Sequence, residues 1–208
     1  MSKTKQKILE SALILFNEAG TIQVVLQKIA DQAGMSIGNL TYHYKNKEAI
    51  IIELFDVIDN DISAIFSKVS LMPTEVEIME IEHKLFELQD KYRFMFLDSV
   101  RLISISPIVA EKFRQNMKHQ IDVIVTLMNI GAMARTYKPE EYEGHYSQQA
   151  KIVWNLYFSR ITRSVVMDEK YELIDLANDI WLIIKPFLTE EGLTKYKPLL
   201  EAKMGQIH

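Results

Sequence analysis

Ser36, Asn39, Thr41, Tyr42 and His43 fall within one short stretch, and all five side chains can hydrogen-bond to a nucleic acid. Asn39 can pair two-fold with an adenine edge, Ser36 and Thr41 can bond bases or phosphates, and Tyr42 and His43 can donate to phosphate oxygens. Ile37 offers an apolar contact to a thymine methyl, and Gly38 lies between these side chains in the same segment. Lys47 stands in the first turn of the next expected helix, where free backbone N–H groups and the positive dipole end favour a phosphate. The chemistry that suits Ser36, Ile37, Gly38, Asn39, Thr41, Tyr42, His43 and Lys47 together is recognition of a duplex, without the making or breaking of covalent bonds.

A second constellation has chemical spacing. Glu80 and His83 form a Glu-x-x-His step of the kind found in helical di-iron sites. Such a site needs a second copy and two further carboxylates. No second Glu-x-x-His occurs, nor a His-Glu-x-x-His, a phosphate-cradling glycine loop or a nucleophile elbow. The chain has no cysteine, which excludes disulfides, a thiol nucleophile and cysteine-bound metal. Glu80 and His83 are therefore expected on a solvated face, with no enzymatic activity, no metal and no cofactor. The rival readings are a helical interaction module without DNA affinity and, behind it, a helical-bundle metalloenzyme.

Positioning a recognition segment requires rigid elements, and the pattern predicts helices throughout. Only seven Gly and five Pro punctuate 208 residues, and between them apolar residues recur at spacings of three and four. Ile8, Ala12 and Phe16, flanked by Leu9, Leu13 and Leu15, predict a first helix that stops at Gly20. A second, from about Val25 to Ala33, buries Leu26, Ile29 and Ala30 and breaks at Gly34; Ser36 caps a third. Gln27 to Ala33 then reads as the positioning helix, Gly34 and Met35 as the turn, and Ser36 to Tyr44 as the recognition helix of a helix-turn-helix. Leu40 is expected to anchor the recognition helix in the core, with Tyr44 packed rather than facing DNA. Asn46 caps a long helix whose stripe runs Ile50, Leu54, Ile58, Ile62, Phe66 and Val69, spanning roughly 36 Å at about 1.5 Å per residue. Beyond Pro73, helices are predicted near 74–91, 92–105, 108–132, 147–166, 170–187 and 190–203. Loops fall at Pro107, at Gly131 to Gly144 and at Met167 to Lys170.

The net charge of −4 runs against a polyanionic partner until its distribution is considered. Residues 1–50 carry six lysines against four acidic residues, and the rest of the chain carries the acidic excess. A basic head on an acidic body suits a two-part DNA-binding protein. No run of about eighteen apolar residues marks a membrane span, and Met1 to Lys7 is polar and basic rather than a signal peptide. A cytoplasmic location is the expectation.

Ile8, Ala12, Phe16, Gly20, Ile29-Ala30, Ala33-Gly34, Ser36, Gly38, Leu40, Tyr42-His43-Tyr44 and Lys47-Glu48 occur at spacings that resemble the TetR family of bacterial transcriptional regulators, over about residues 5 to 55. Two positions depart from the family pattern. Val24-Val25 stands where the family usually has Thr-Thr, which removes a helix cap or a phosphate contact, and Thr41 stands where a Tyr commonly follows the recognition-helix Leu. The resemblance implies an all-α protein: an N-terminal three-helix helix-turn-helix domain, 1–48, followed by a larger helical ligand-binding and dimerisation domain, 49–208. It also implies a homodimer on a two-fold operator, and a small-molecule effector, with repression the commoner role.

The body's own residues supply expectations of their own. Methionine adapts to irregular pockets, and Phe96, Phe113, Met117, Met128, Trp154 and Tyr157 are the candidate lining for a largely apolar effector. Two segments have apolar faces wide enough for a core and a partner helix together. One carries Ala150, Val153, Trp154, Tyr157, Phe158, Ile161 and Val165; the other carries Leu173, Ala177, Ile180, Trp181, Ile184 and Phe187.

Overall fold

The computed structural model describes residues 2–67 and 74–204, and every named element among them is helical. The chain forms two compact units: residues 1–61 with 90–117, and residues 62–89 with 118–208. The head expected at 1–48 lies wholly in the first unit, which also takes in 49–61 and 90–117. Val69, placed at the end of the long apolar stripe, lies outside the described residues.

The first unit begins with α1 (Lys3–Gln23), capped by Ser2, whose hydroxyl accepts from the Lys5 N–H at 3.3 Å. Its regular course ends where expected, at Gly20, which has φ 75°. One further turn follows because the Thr21 N–H and hydroxyl both donate to the buried carboxylate of Asp98, at 2.5 and 2.9 Å. A side chain at position 20 would place its Cβ 3.0 Å from that carboxylate, so the positive φ and the close approach both require glycine. α2 (Leu26–Gln32) and α3 (Ile37–His43) are joined by a turn in which Gly34 has φ 60° and the Met35 N–H donates to the Ala30 carbonyl at 3.0 Å. α2 starts at Val25 without a side-chain cap, as its sequence implied.

α4 (Lys47–Phe66) is capped by Asn46, whose Oδ1 accepts from the Ala49 N–H at 2.9 Å. The faces meet in a core of Ile8, Ala12, Phe16, Ile29, Leu40, Ile50 and Leu54, all at most 2% exposed. Two short helices, α6 (Arg93–Leu97) and α7 (Ser99–Ile105), replace the single helix expected over 92–105. The break falls at Asp98, whose side chain is engaged by Thr21. Asn17 ties α1 to this region, donating from Nδ2 to the Lys91 carbonyl at 2.8 Å and accepting at Oδ1 from the Phe94 N–H at 3.0 Å. The Phe16 and Phe94 rings lie 5.6 Å apart beside that clamp, a contact of about 0.5–1.5 kcal/mol beyond simple burial.

The second unit holds most of α5 (Glu75–Lys91), the end of α8 (Pro107–Met133), α9 (His145–Met167), α10 (Leu173–Ile184) and α11 (Glu190–Met204). Its core gathers Met128, Tyr137, Tyr146, Ala150, Val153, Leu176, Ile180 and Leu188. α10 starts later than its apolar pattern suggested because Glu172 and Asp175 form a reciprocal capping box, and it ends early in a 3-10 turn containing Pro186. The loop after α8 packs tightly: the Thr136 and Tyr137 N–H groups both donate to the Gly131 carbonyl, and the Thr189 N–H donates to the Thr136 carbonyl.

Candidate nucleic-acid interface and apolar cavity

α3 has two unlike faces. On one, Leu40 is fully buried and Tyr44, just past the helix, is 2% exposed. The Lys5 ammonium lies 5.0 Å from the centre of the Tyr44 ring and pairs with Glu53 at 3.0 Å. Burial, with the Glu53 carboxylate, pushes the Tyr44 hydroxyl pKa upward, so it stays protonated against the core. On the other face Ser36, Ile37, Gly38, Asn39 and Tyr42 are exposed and Thr41 and His43 half-buried. Ser36 caps the helix by accepting from the Asn39 N–H at 3.2 Å. Tyr42 is 83% exposed, edge-on to the His43 ring at 5.2 Å. A short helix pinned by Leu40 and Tyr44, with amide, hydroxyl and imidazole groups on its open side, can enter a groove and hydrogen-bond there.

Two of the expected readers have internal commitments. The Thr41 hydroxyl donates to the carbonyls of Ile37 and Gly38, at 3.0 and 3.2 Å, so what it offers outward is an acceptor lone pair. Lys47, expected to hold a phosphate, also has internal partners: its ammonium donates to the Thr21 carbonyl at 2.5 Å and the Val24 carbonyl at 2.9 Å. Burial lowers its pKa, and the charge of Asp98 opposes the shift. The side chain thus ties the first turn of α4 to the last turn of α1 and to the residue that follows it.

The second unit holds a partly open apolar cavity of about 240 Å³. Phe66 of α4, Ile81, Glu82 and Leu85 of α5, and Ile124, Leu127 and Met128 of α8 form part of its wall. Val153 and Tyr157 of α9, Ile180, Trp181 and Ile184 of α10, and Tyr196 of α11 contribute more, and Thr136 and Tyr137 enter from the loop after α8. Gly131 lets that loop approach, since a Cβ there would meet Tyr137 at 3.3 Å.

Of the six residues proposed from sequence to line a pocket, Met128 and Tyr157 are on this wall. Phe96, Phe113 and Met117 belong to the first unit, where Phe113 stacks edge-on to Phe55 at 5.7 Å. Trp154 is packed on Phe158 at 4.7 Å, and its indole N–H donates to Gln120 Oε1 at 3.0 Å. Ile180, Trp181 and Ile184, read as a wide dimer-type face, line the cavity. Tyr137 lay in an expected loop and carried no periodic signal. Glu80 pairs with Lys84 and His83 with Glu87, each along α5, and the described residues hold no cluster of three metal-ligating side chains.

Comparison with known proteins adds an independent observation. A family model described as bacterial regulatory proteins, tetR family, matches residues 8–54, and a TetR model described as a bacterial transcriptional repressor matches residues 59–196. The fatty acid metabolism regulator protein of Bacillus subtilis (strain 168) is 23% identical over 177 residues, covering 84% of this chain and 90% of that one. A TetR-family transcriptional regulator from Marinobacter aquaeolei VT8 has a similar structure, with a TM-score of 0.82 and 25% identity over 97% of this chain and 99% of that chain. The transcriptional regulator FadR from Bacillus subtilis, solved in complex with stearoyl-CoA, matches with a TM-score of 0.70 and 22% identity, over 86% of this chain and 97% of that chain.

Proposed function

This chain belongs to the TetR family of bacterial transcriptional regulators, and from that premise we propose that it is a ligand-responsive repressor. In this reading a homodimer binds a palindromic operator and is released when a small, largely apolar effector enters the cavity of the second unit. The observation that carries the DNA-binding part is the asymmetry of α3, buried at Leu40 and open at Ser36, Ile37, Asn39 and Tyr42. Asn39 and Thr41 read base edges, and Tyr42 and His43 hold phosphates. The apolar wall carries the effector class, and a long-chain acyl compound is the kind of molecule named in complex with one structural neighbour.

The release mechanism follows from α4. This helix carries Lys47 at one end, bonded into the head, and Phe66 at the other, on the cavity wall. An effector that contacts Phe66 differently in two positions of α4 shifts the population between them. The two heads of a dimer then no longer match successive major grooves, about 34–36 Å apart. The described residues contain no helix long and apolar enough to cross a membrane, and a cytoplasmic location belongs to the same proposal.

Binding of the full chain to its own promoter-region duplex, measured across a salt series, tests the reading. Affinity should fall steeply and log-linearly with salt as counterions are released. Absent or salt-indifferent binding would establish the rival, a helical module without DNA affinity.

A further inference from the structure

Resting on the DNA-binding reading proposed above, we infer that Lys7 of α1 holds a backbone phosphate at the edge of the major groove that α3 enters, whereas Lys5 on the same helix holds none. The Lys7 ammonium lies 3.6 Å from where a Cβ on Gly34 would stand, so its charge sits over the turn that leads into α3. That approach is open, with Lys7, Gly34, Ser36, Ile37, Gly38 and Asn39 all exposed. The first residues of a recognition helix reach base edges, so the segment just before it passes the rim of the groove, where the phosphates run.

The two lysines leave α1 in different directions. Two residues apart on a helix of about 3.6 residues per turn, they point roughly 200° from one another. Lys5 reaches the C-terminal end of α3, where its ammonium pairs with Glu53 at 3.0 Å and lies 5.0 Å from the centre of the Tyr44 ring. Its charge is matched inside the head. Lys7, at the other end of α3, has no hydrogen bond or ion pair among the described residues. The neighbouring acids turn to glutamines instead. Glu10, three residues on, accepts from the Gln6 amide at 2.9 Å, and Asp31, just ahead of the turn, accepts from the Gln27 amide at 2.7 Å.

A solvated, unpaired ammonium meets a phosphate without breaking an internal bond. What it contributes is counterion release, about 0.9 of a counterion for each phosphate neutralised on a duplex, and that contribution carries no base information. Lys7 therefore adds affinity for every duplex alike, beside the base readers on the open side of α3. Lys5, already matched by a carboxylate, releases nothing comparable.

The test uses the full chain and the promoter-region duplex of the salt series, with Lys7→Gln, Lys7→Arg and Lys5→Gln beside wild type. Lys7→Gln should lower the slope of log affinity against log salt by about 0.9 for each head bound. Its affinity should fall about eightfold per head at 0.1 M salt and converge on wild type as salt approaches 1 M, since the lost contact scales as salt to the power of about 0.9. The loss should be equal for duplexes carrying single base-pair changes. Lys7→Arg and Lys5→Gln should both keep the wild-type slope. Across duplexes that each carry one neutral methylphosphonate, one position per half-site should weaken wild type yet leave Lys7→Gln unaffected. A wild-type slope in Lys7→Gln, an equal fall in slope for Lys5→Gln, a loss confined to particular base pairs, or the lack of such a methylphosphonate position each overturns the assignment while leaving DNA binding intact. Wild-type protein without salt-dependent binding overturns the DNA-binding reading itself.

Discussion

Asn39 and Lys47 were grouped by type and position, yet their surroundings give them different work. Asn39 stands exposed on α3, whereas the Lys47 ammonium is half-buried on two carbonyls. Replacing Asn39 with Ala should therefore leave the melting temperature near wild type and cost about 1–3 kcal/mol at particular base pairs, read by titrating operators with single base-pair changes. Lys47→Met should instead lower stability by about 1–3 kcal/mol, because two buried carbonyls lose their donor. Its DNA affinity should fall alike for every sequence. A Lys47→Met protein of unchanged stability that binds DNA less well would instead support the phosphate role. The polar face of α3 was legible because local spacing alone creates it. The partners of Lys47 were not, since Thr21 and Val24 are brought to it only by the packing of α1 and α2 against α4.

At the scale of elements, apolar periodicity located nearly every helix, and the differences lie at ends and breaks. Periodicity reports which face is buried. It is silent on which carboxylate reaches a backbone N–H, so the break at Asp98 and the capping box at Glu172 and Asp175 were invisible to it. The loop after α8 is a second case: its Thr136 and Tyr137 complete the cavity through contacts with Gly131 and with α11. Gly192→Ala cannot be accommodated there without moving backbone, given the 2.0 Å approach to the Thr136 carbonyl. It should destabilise the protein by about 1–3 kcal/mol and weaken binding of naphthalene to the cavity, while unliganded protein below its melting transition keeps its operator affinity. A thermal melt together with the two titrations checks this. Full ligand affinity in the variant would show that α11 does not support the wall.

Taken as a whole molecule, the chain has more apolar surface than its own core accounts for. The wide faces of α9 and α10 read from sequence pack largely inward, with Ala150, Val153, Ile161 and Ala177 buried. What remains outside is Ile152, Val165, Val166 and Met167 on α9 and Leu182 on α10, each more than half exposed, and of these Val165 alone belonged to the faces read from sequence. In the proposed function a second copy covers these residues, which gives the dimer a test. Sedimentation of wild-type protein should give twice the chain mass. The pair Val166→Glu and Leu182→Glu should give monomers that bind a half-site but lose tight binding to the full operator, and a persistent dimer would place the interface elsewhere. Sequence could mark both helices as broadly apolar, but dividing one face between core and partner depends on the packing of neighbouring helices. The Asn17 clamp and the bond between Thr21 and Asp98 bear on transplantation. They join the N-terminal head to residues more than seventy positions later, so residues 1–48 are not a portable cassette. A chimaera cut at residue 48 would leave the Asn17 amide without its backbone partners and Gly20 and Thr21 without their carboxylate, whereas a graft that also carries 49–61 and 90–117 would move the head with its sockets intact.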